Sequence, residues 1–243
     1  MGHINSGKGT YNYHVMGYKN CLLIKPHFIK YPLMTYKLVY FKLWEEVLDL
    51  MGKKEHLTKS GLLKIISIKS LFKKGLNLDL LSSFPDVKHA DCRVNSPVYL
   101  PSLHLLNNAW LTGFISADGT FGLIVTTNSV SNQNNKVIPQ IRIYQDIKSL
   151  VVLEAIKNML GQGVIIKPSP NRTVATLAFY RKEAISLLIQ ICKENPLQGA
   201  KHLDFLDFCK GYEIYLNKGY LNPIGLTKLI SIVKGMNSGR KFD

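Results

Sequence analysis

The feature that most constrains the fold of this chain is an internal repeat. Pro32-Leu33 recurs as Pro196-Leu197, an offset of 196 − 32 = 164 residues. The same offset joins residues of matching type along the chain: Lys37 and Lys201, Phe41 and Phe205, Gly61-Leu62 and Gly225-Leu226, and Gly75 and Gly239. Because a constant offset with matching residue types is hard to obtain by chance, the sequence predicts two copies of one folding unit.

The two copies are of unequal length. The partner of Asp118 would lie at 118 − 164, before Met1, so the second copy is whole and the first begins partway through the unit. We therefore expect three parts: a partial first repeat at 1–75, a linker at 76–106 and a complete second repeat at 107–243. Pro85, Pro97 and Pro101 favour extended chain in the linker.

The complete repeat shows the periodicity of an α+β fold with the element order αββαββα and trailing helices. A helix begins near Trp110, capped by Asn107 or Asn108, and ends at Gly119. Alternating residues predict two hairpins: Thr120–Asn128 with Val137–Tyr144, and Val164–Lys167 with Val174–Tyr180. Helical patterns predict the remaining elements: a helix capped by Asp146 and running to about Leu160, then Lys182–Lys193, Gly199–Leu216 and Pro223–Met236. In the partial repeat we expect only the last hairpin, near Gly2–Gly17, and the helices.

Charge and composition narrow the partners of the chain. It carries 31 Lys plus Arg against 16 Asp plus Glu, a formal net charge of +15, which favours nucleic acid as the partner, with an anionic membrane surface second. No transmembrane span is predicted, because the longest stretch without charged residues, Val94–Ala117, contains Pro97 and Pro101. The four cysteines form no CxxC pair and the seven histidines lack ligand spacing, so we expect buried reduced thiols rather than a zinc site.

The segment Leu111–Gly119, LTGFISADG, carries the chemistry of the predicted first helix of the complete repeat. Gly113 and Ala117 are four residues apart, so they lie on one helical face and let a second helix approach closely. Asp118 stands at the helix C-terminus, where the helix dipole disfavours an anion. A carboxylate in that position on a basic protein indicates either a bound cation or a solvated side chain at the helix end. Of the cations, Mg²⁺ takes one or two carboxylates together with phosphate oxygens and waters.

LTGFISADG resembles the signature helix of the LAGLIDADG homing endonucleases, and Tyr31-Pro32-Leu33 and His56-Leu57-Thr58 resemble segments of the monomeric, two-repeat, intron-encoded members. The resemblance implies a saddle-shaped antiparallel sheet and two signature helices packed side by side, each presenting one acid to a scissile phosphate. It implies that Asp118 is the catalytic, metal-binding acid and that the Gly119 carbonyl adds a ligand. Ser116 stands where the signature usually has Asp, away from the metal-facing end, so we do not expect it to inactivate the site.

The resemblance also implies polar or basic groups beside the metal. Gln145, at the end of the second strand, is one candidate, and Lys182 or Arg181, after the fourth strand, is another. For the basic pair, an ordinary surface charge at a helix start is an equally good interpretation.

Strand alternation predicts which side chains would contact DNA. If Phe121, Ile141 and Phe179 point to the core, the alternate residues form an open face that suits readout in a major groove. Ala178 falls on that face, and the predicted contacts to bases and phosphates there and in the loops are Thr126, Asn128, Lys136, Gln140, Arg142, Tyr144, Lys167, Arg172, Thr176 and Tyr180.

The predicted function is that of a site-specific, double-strand DNA homing endonuclease that hydrolyses phosphodiester bonds with a divalent metal. The resemblance implies a duplex target of about 20 base pairs and a mitochondrial protein encoded in the organelle, with the plastid as second choice. The alternative is an RNA maturase or splicing cofactor that binds intron RNA, or a catalytically incomplete remnant. A monomer is favoured over a dimer that pairs two Leu111–Gly119 helices.

Overall fold

The computed structural model describes residues 2–7, 10–85, 87, 97–126 and 135–240. The chain divides into two compact units, Met1–Ser102 and Leu103–Asp243. The boundary between them falls inside the segment 76–106 that the sequence marks as a linker.

The first unit begins with a hairpin and continues with helices, as predicted for the partial repeat. Its strands β1 (His3–Gly7) and β2 (Thr10–His14) pair antiparallel, with His3 opposite His14. Its helices are α1 (Tyr18–Lys30), α2 (Lys37–Gly52), α3 (Lys59–Ser70) and α4 (Leu78–Ser83). Val39, Leu43, Leu50 and Ile68 form a buried cluster between α2 and α3.

The prediction of extended chain throughout 76–106 is wrong at α4. Asn77 accepts a hydrogen bond from the backbone N–H of Leu80 at 3.0 Å, which satisfies a first-turn donor that extended chain would leave to water. Asp79 adds a negative charge at the positive end of the helix dipole. A short 3₁₀ turn, Leu103–Leu105, also interrupts the segment.

The second unit has the predicted αββαββα order. It contains α5 (Asn108–Asp118), β3 (Gly119–Thr126), β4 (Lys136–Asp146), α6 (Leu150–Leu160), β5 (Val164–Ile166), β6 (Val174–Phe179), α7 (Lys182–Glu194), α8 (Ala200–Leu216) and α9 (Pro223–Lys234). The four strands form one antiparallel sheet in the order β3-β4-β6-β5. Asp146 does not cap α6 directly. It caps a 3₁₀ turn, Ile147–Ser149, by accepting from the Lys148 N–H at 3.0 Å, and α6 follows.

Alternating residues of the sheet build the core of the second unit. Phe121, Ile141, Ile143 and Leu177 are fully buried on the face that the helices cover. The ring of Phe121 lies 5.4 Å from that of Phe205 on α8, which fixes this helix against β3. Because β side chains alternate between faces, the residues between these positions lie on the opposite face.

The internal repeat is confirmed in three dimensions. The bounds of α1 and α7 differ by 182 − 18 = 194 − 30 = 164, and those of α3 and α9 by 223 − 59 = 234 − 70 = 164. The turns before α3 and α9 also match. Gly61 and Gly225 occupy the same place, where a Cβ would collide with the backbone carbonyl of Glu55 or Gly219. Such close approach of backbone explains why both copies carry glycine there.

Candidate active site and nucleic-acid interface

Asp118 lies where α5 ends and β3 begins. Asn107 caps the start of α5, accepting from the Trp110 N–H at 2.9 Å, as the sequence predicts. At the other end Gly119 leaves the helical conformation for an extended one, so the chain enters β3 at once. This junction places the half-buried carboxylate of Asp118 at the C-terminal end of the helix dipole.

Gln145 is brought next to Asp118 by the register of β3 and β4. Gly119 pairs with Ile143, which sets the last residues of β4 beside the end of α5. The Gln145 Nε2 donates a hydrogen bond to Asp118 Oδ2 at 2.5 Å. Among the described residues no cationic side chain forms an ion pair with Asp118. The carboxylate is therefore oriented by an amide donor, and no cationic side chain of the described residues neutralises its charge.

Lys182 and Arg181 lie at the other end of β6 from this pair. Gln145 pairs with Ala175 at the start of β6, whereas Phe179 at its end pairs with Ile141, and Lys182 follows as an exposed residue at the start of α7. The separation along the strand direction is on the order of 15–20 Å at about 3.3 Å per residue. The structure thus does not place Lys182 beside Asp118.

The donor atoms near Asp118 suit a hard cation. A carboxylate oxygen and the backbone carbonyl of Gly119 are the oxygen ligands that Mg²⁺ or Ca²⁺ prefers. No group of three or more His, Cys, Asp or Glu side chains that could hold a metal occurs in the described ranges. The residues therefore fit a site in which this unit supplies one carboxylate and the remaining ligands come from phosphate, water or a second acid.

One face of α5 is open. Leu111, Phe114 and Ile115 are buried, whereas Gly113 and Ala117 are exposed. Apart from the backbone of its own helix, a Cβ added at Gly113 would meet no atom of the described residues within 4 Å. The small-residue face that the sequence predicts for helix packing is thus accessible next to Asp118.

The contact between Ser116 and the loop after α7 was not found from the sequence. Ser116 Oγ donates to the Thr112 carbonyl at 2.8 Å and lies 3.4 Å from the backbone N of Gln198, which donates to it. Gln198 directly follows Pro196-Leu197, the pair that recurs from Pro32-Leu33. This recurrence was the sequence signal that could have drawn attention to the loop. A serine at this position ties the α7–α8 loop to the helix that carries Asp118.

The open face of the sheet carries most of the predicted nucleic-acid contacts. Gln140, Arg142, Tyr144 and Thr176 are half-buried there, and Tyr180 is exposed. Thr126 and Lys136 pair at the outer end of the β3–β4 hairpin, and Lys167 and Arg172 are exposed around the β5–β6 turn. Asn128 lies outside the described residues. Ala178 is fully buried although it was expected to face outward, because its short side chain lies between Arg142 and Val164 on the neighbouring strands.

Arg142 is held in place on this face. Its Nη2 donates to the Tyr180 hydroxyl at 3.1 Å, and its guanidinium carbon lies 5.8 Å from the centre of the Tyr180 ring. Partial burial lowers the pKa of Arg142, but hydrogen bonds to Tyr144 and Tyr180 outweigh burial, and the pKa is raised. The guanidinium stays charged and oriented in a central position of the sheet.

Comparison with known proteins identifies the family of this chain. Residues 111–212 match the family model described as LAGLIDADG endonuclease. The crystal structure of the LAGLIDADG homing endonuclease I-SmaMI bound to cleaved DNA superposes with a TM-score of 0.89 and 32% identity, covering 99% of this chain and 79% of that one. This chain belongs to the LAGLIDADG endonuclease family. The DNA-bound LAGLIDADG meganuclease I-CpaMI, with 24% identity and a TM-score of 0.87 over 98% of this chain and 81% of that one, shares the fold.

Curated relatives of this LAGLIDADG protein are intron-encoded. The Neurospora crassa protein named probable intron-encoded endonuclease 3 is 27% identical over 96% of this chain and 43% of its own length. Probable intron-encoded endonuclease 2 of the same fungus is 26% identical over 86% of this chain and 46% of its own length. The chain thus spans less than half of each. No helix among the described residues is long and apolar enough to cross a membrane.

Proposed function

We propose that this chain forms part of an intron-encoded homing endonuclease that hydrolyses both strands of a specific DNA site with a divalent metal. The observation that carries the proposal is the geometry of Asp118. Its half-buried carboxylate lies against the helix dipole, is oriented by Gln145 and has no cation from the described residues to neutralise it. That arrangement suits a cation bound at the scissile phosphate.

Each residue of the proposed active site has one task. Asp118 and the Gly119 carbonyl would hold Mg²⁺, which when bound neutralises phosphate charge and lowers the pKa of a bound water. Gln145 fixes the orientation of the Asp118 carboxylate through its Nε2 donor. Ser116 holds the α7–α8 loop near the same helix end. A catalytic role for Lys182 stays a sequence-based prediction without support from its position.

The proposed partner is a DNA duplex of about 20 base pairs. Support comes from the net charge of +15, the polar open sheet face and the family members that were solved on DNA. We propose a mitochondrial protein encoded in the organelle, with a plastid as second choice, because the curated relatives in Neurospora crassa and Schizosaccharomyces pombe are intron-encoded endonucleases. We also propose a monomer.

In the first unit, side chains of β2 are exposed where the second unit buries the equivalent ones, which favours a further segment that covers them. Tyr11 and Tyr13 are 81% and 58% exposed, yet their counterparts at an offset of 164, Ala175 and Leu177, are fully buried. In unit 2 it is β4 that pairs with β6 and helps to bury these positions. We propose that a second αββ segment with its own acid, in the same frame or in another chain, covers β2 and supplies the second half of the active site.

The same exposure favours one alternative function. Exposed aromatic side chains can stack on unpaired bases, which is how many proteins bind single-stranded RNA. The exposed tyrosines of β2 and the stacked rings of His3 and His14, 5.6 Å apart, would suit an RNA maturase or splicing cofactor. A chain that binds intron RNA tightly but cuts no duplex would support this alternative.

The proposal is tested by selecting duplexes that the purified chain binds, then incubating them with Mg²⁺. Cutting of at least one strand is expected, and it should disappear in Asp118→Asn, which keeps the shape and removes the charge. The matched control is Asp146→Asn, on the next strand end. Cutting that survives in Asp118→Asn would contradict the assignment. Adding a chain that carries the αββ segment should convert single-strand cutting into double-strand cutting.

A further inference from the structure

The open sheet face contains three groups that differ in chemistry and follow one another along β4. The first is Arg142, pinned by hydrogen bonds to Tyr144 and Tyr180. Its Nε is buried and has no hydrogen-bond partner among the described residues. Because Tyr180 accepts from the guanidinium, its own hydroxyl proton is directed elsewhere. A guanidinium fork that is already ordered loses little side-chain entropy on binding, so it is prepared to meet a planar acceptor pair.

The second group is Gln140, which depends on Gly122. The two residues pair directly across β3 and β4. A Cβ at Gly122 would lie 3.2 Å from both Cγ and Nε2 of Gln140, closer than side chains tolerate without moving. Gln140 therefore lies over bare backbone, and its Oε1 is buried with no hydrogen-bond partner among the described residues, so the amide has to turn outward to reach a base. Glycine at this position sets where the amide of Gln140 can be.

The third group is the pair Ile124 and Ile138. These residues also face each other across the two strands, farther from Asp118. They are 43% and 45% exposed on a face whose neighbouring positions are polar. Two exposed branched side chains at paired positions form a small apolar surface, which is the kind of surface that recognises the methyl group of thymine in a major groove.

We propose that these three groups read a guanine, an adenine and a thymine, in that order, outward from the cleavage point. Arg pairs with guanine O6 and N7, Gln with adenine N6 and N7, and apolar side chains contact the thymine methyl. Arg142, Gln140 and Ile138 are spaced by two residues along β4, about 6.8 Å, which equals roughly two base-pair steps. The inference rests on the proposed binding of duplex DNA but not on cleavage.

The test is selection from a randomised 24-base-pair duplex library in Ca²⁺, followed by sequencing of the bound molecules. The unsubstituted chain should enrich guanine, adenine and thymine at positions about two base pairs apart, each by about 5- to 150-fold over the other bases. Arg142→Ala should abolish the preference for guanine and leave the preferences for adenine and thymine unchanged. Gly122→Val should displace Gln140 and remove only the adenine preference, and Ile124→Ser only that for thymine. Glu154→Gln, on an exposed position of α6, is the control and should change nothing.

Two outcomes would overturn the inference. One is an enriched site in which Arg142→Ala leaves the guanine preference intact while thermal melting shows a folded variant. The other is the absence of any enriched sequence with the unsubstituted chain. The nuclease proposal fails separately. Bound sites that show the expected base pattern but are never cut in Mg²⁺ would support this inference and contradict the nuclease proposal. Sites that are cut but lack the pattern would support the nuclease proposal and contradict this inference.

Discussion

Replacing Arg240 by alanine should destabilise the second unit by about 2 kcal/mol. Arg240 Nε donates to Asp204 Oδ1 at 2.9 Å, and its Nη2 donates to Asp207 Oδ2 at 2.7 Å. The Asp204 side chain is only 6% exposed, so the loss of Arg240 leaves a nearly buried carboxylate with fewer donors. Hydrogen bonds to charged groups are worth about 1.5–3 kcal/mol each. The Asn237 backbone N–H, 2.9 Å from Asp204, and Lys201 remain and offset part of the loss.

The effect on thermal stability can be measured by calorimetry or circular dichroism. At roughly 2–4 °C per kcal/mol for a protein of this size, Arg240→Ala should lower Tm by about 4–8 °C. Lys210→Ala is the matched control, since Lys210 contacts the same Asp207 but is 66% exposed. It should change stability by well under about 1 kcal/mol. An Arg240→Ala variant that melts within about 1 °C of the unsubstituted chain, which is no more than the error of the measurement, would refute the reasoning.

The same clamp predicts a pH dependence with a definite sign. Burial raises the pKa of Asp207, but hydrogen bonds from Arg240 and Lys210 outweigh it, and the pKa lies below the ordinary value of 3.8. A lowered pKa in the folded state gives stability that is present above pH 3.8 and is lost as the pH falls through the folded value. The difference in unfolding free energy between Arg240→Ala and the unsubstituted chain should therefore shrink below pH 3.8. A difference that stays constant down to pH 2 would exclude this contribution.

Three further predictions concern the site and the core. Gln145→Ala should lower the cleavage rate by about 10- to 100-fold, because the donor that orients Asp118 is lost, and steady-state cleavage assays would show it. A variant with unchanged rate would remove Gln145 from the site. Burial, with a smaller contribution from Cys209, raises the pKa of the Cys192 thiol to about 12, so Cys192 should be the last described cysteine to react with a thiol reagent at pH 8. Rapid labelling of Cys192 in the folded chain would contradict its burial. DNA affinity should fall by roughly 10³ between about 50 and 200 mM salt if six or more phosphates are contacted, and a flat titration would assign the positive charge another role.

Local signals explain why the helices were predicted well. Asn107 and Pro223 mark helix starts, and Gly161, in the left-handed conformation with φ 63°, ends α6. Caps and breakers act within one turn, so they can be recognised without knowing the rest of the fold. The repeat extended this information to the first unit, where the same bounds recur.

Contacts between distant residues could not be predicted in the same way. The clamp of Arg142 by Tyr180 joins residues 38 apart and depends on the register of β4 with β6. The family resemblance offers Lys182 as a candidate beside the metal without using that register, and alternation predicts an exposed Ala178 because it ignores the size of neighbouring side chains. The family resemblance, and not a derived register, offers Gln145 as a candidate. The pairing of β3 with β4 sets it beside Asp118, and its catalytic role stays a prediction.

The central claim is that Asp118 holds the metal for phosphodiester hydrolysis at one strand of a DNA site. The most direct measurement is strand-resolved cleavage of a selected duplex in Mg²⁺ by the unsubstituted chain and by Asp118→Asn, with DNA affinity measured in parallel. We expect Asp118→Asn to cut at less than about one hundredth of the original rate, while its affinity for the duplex stays within a few-fold. Equal cleavage by the two proteins would contradict the claim.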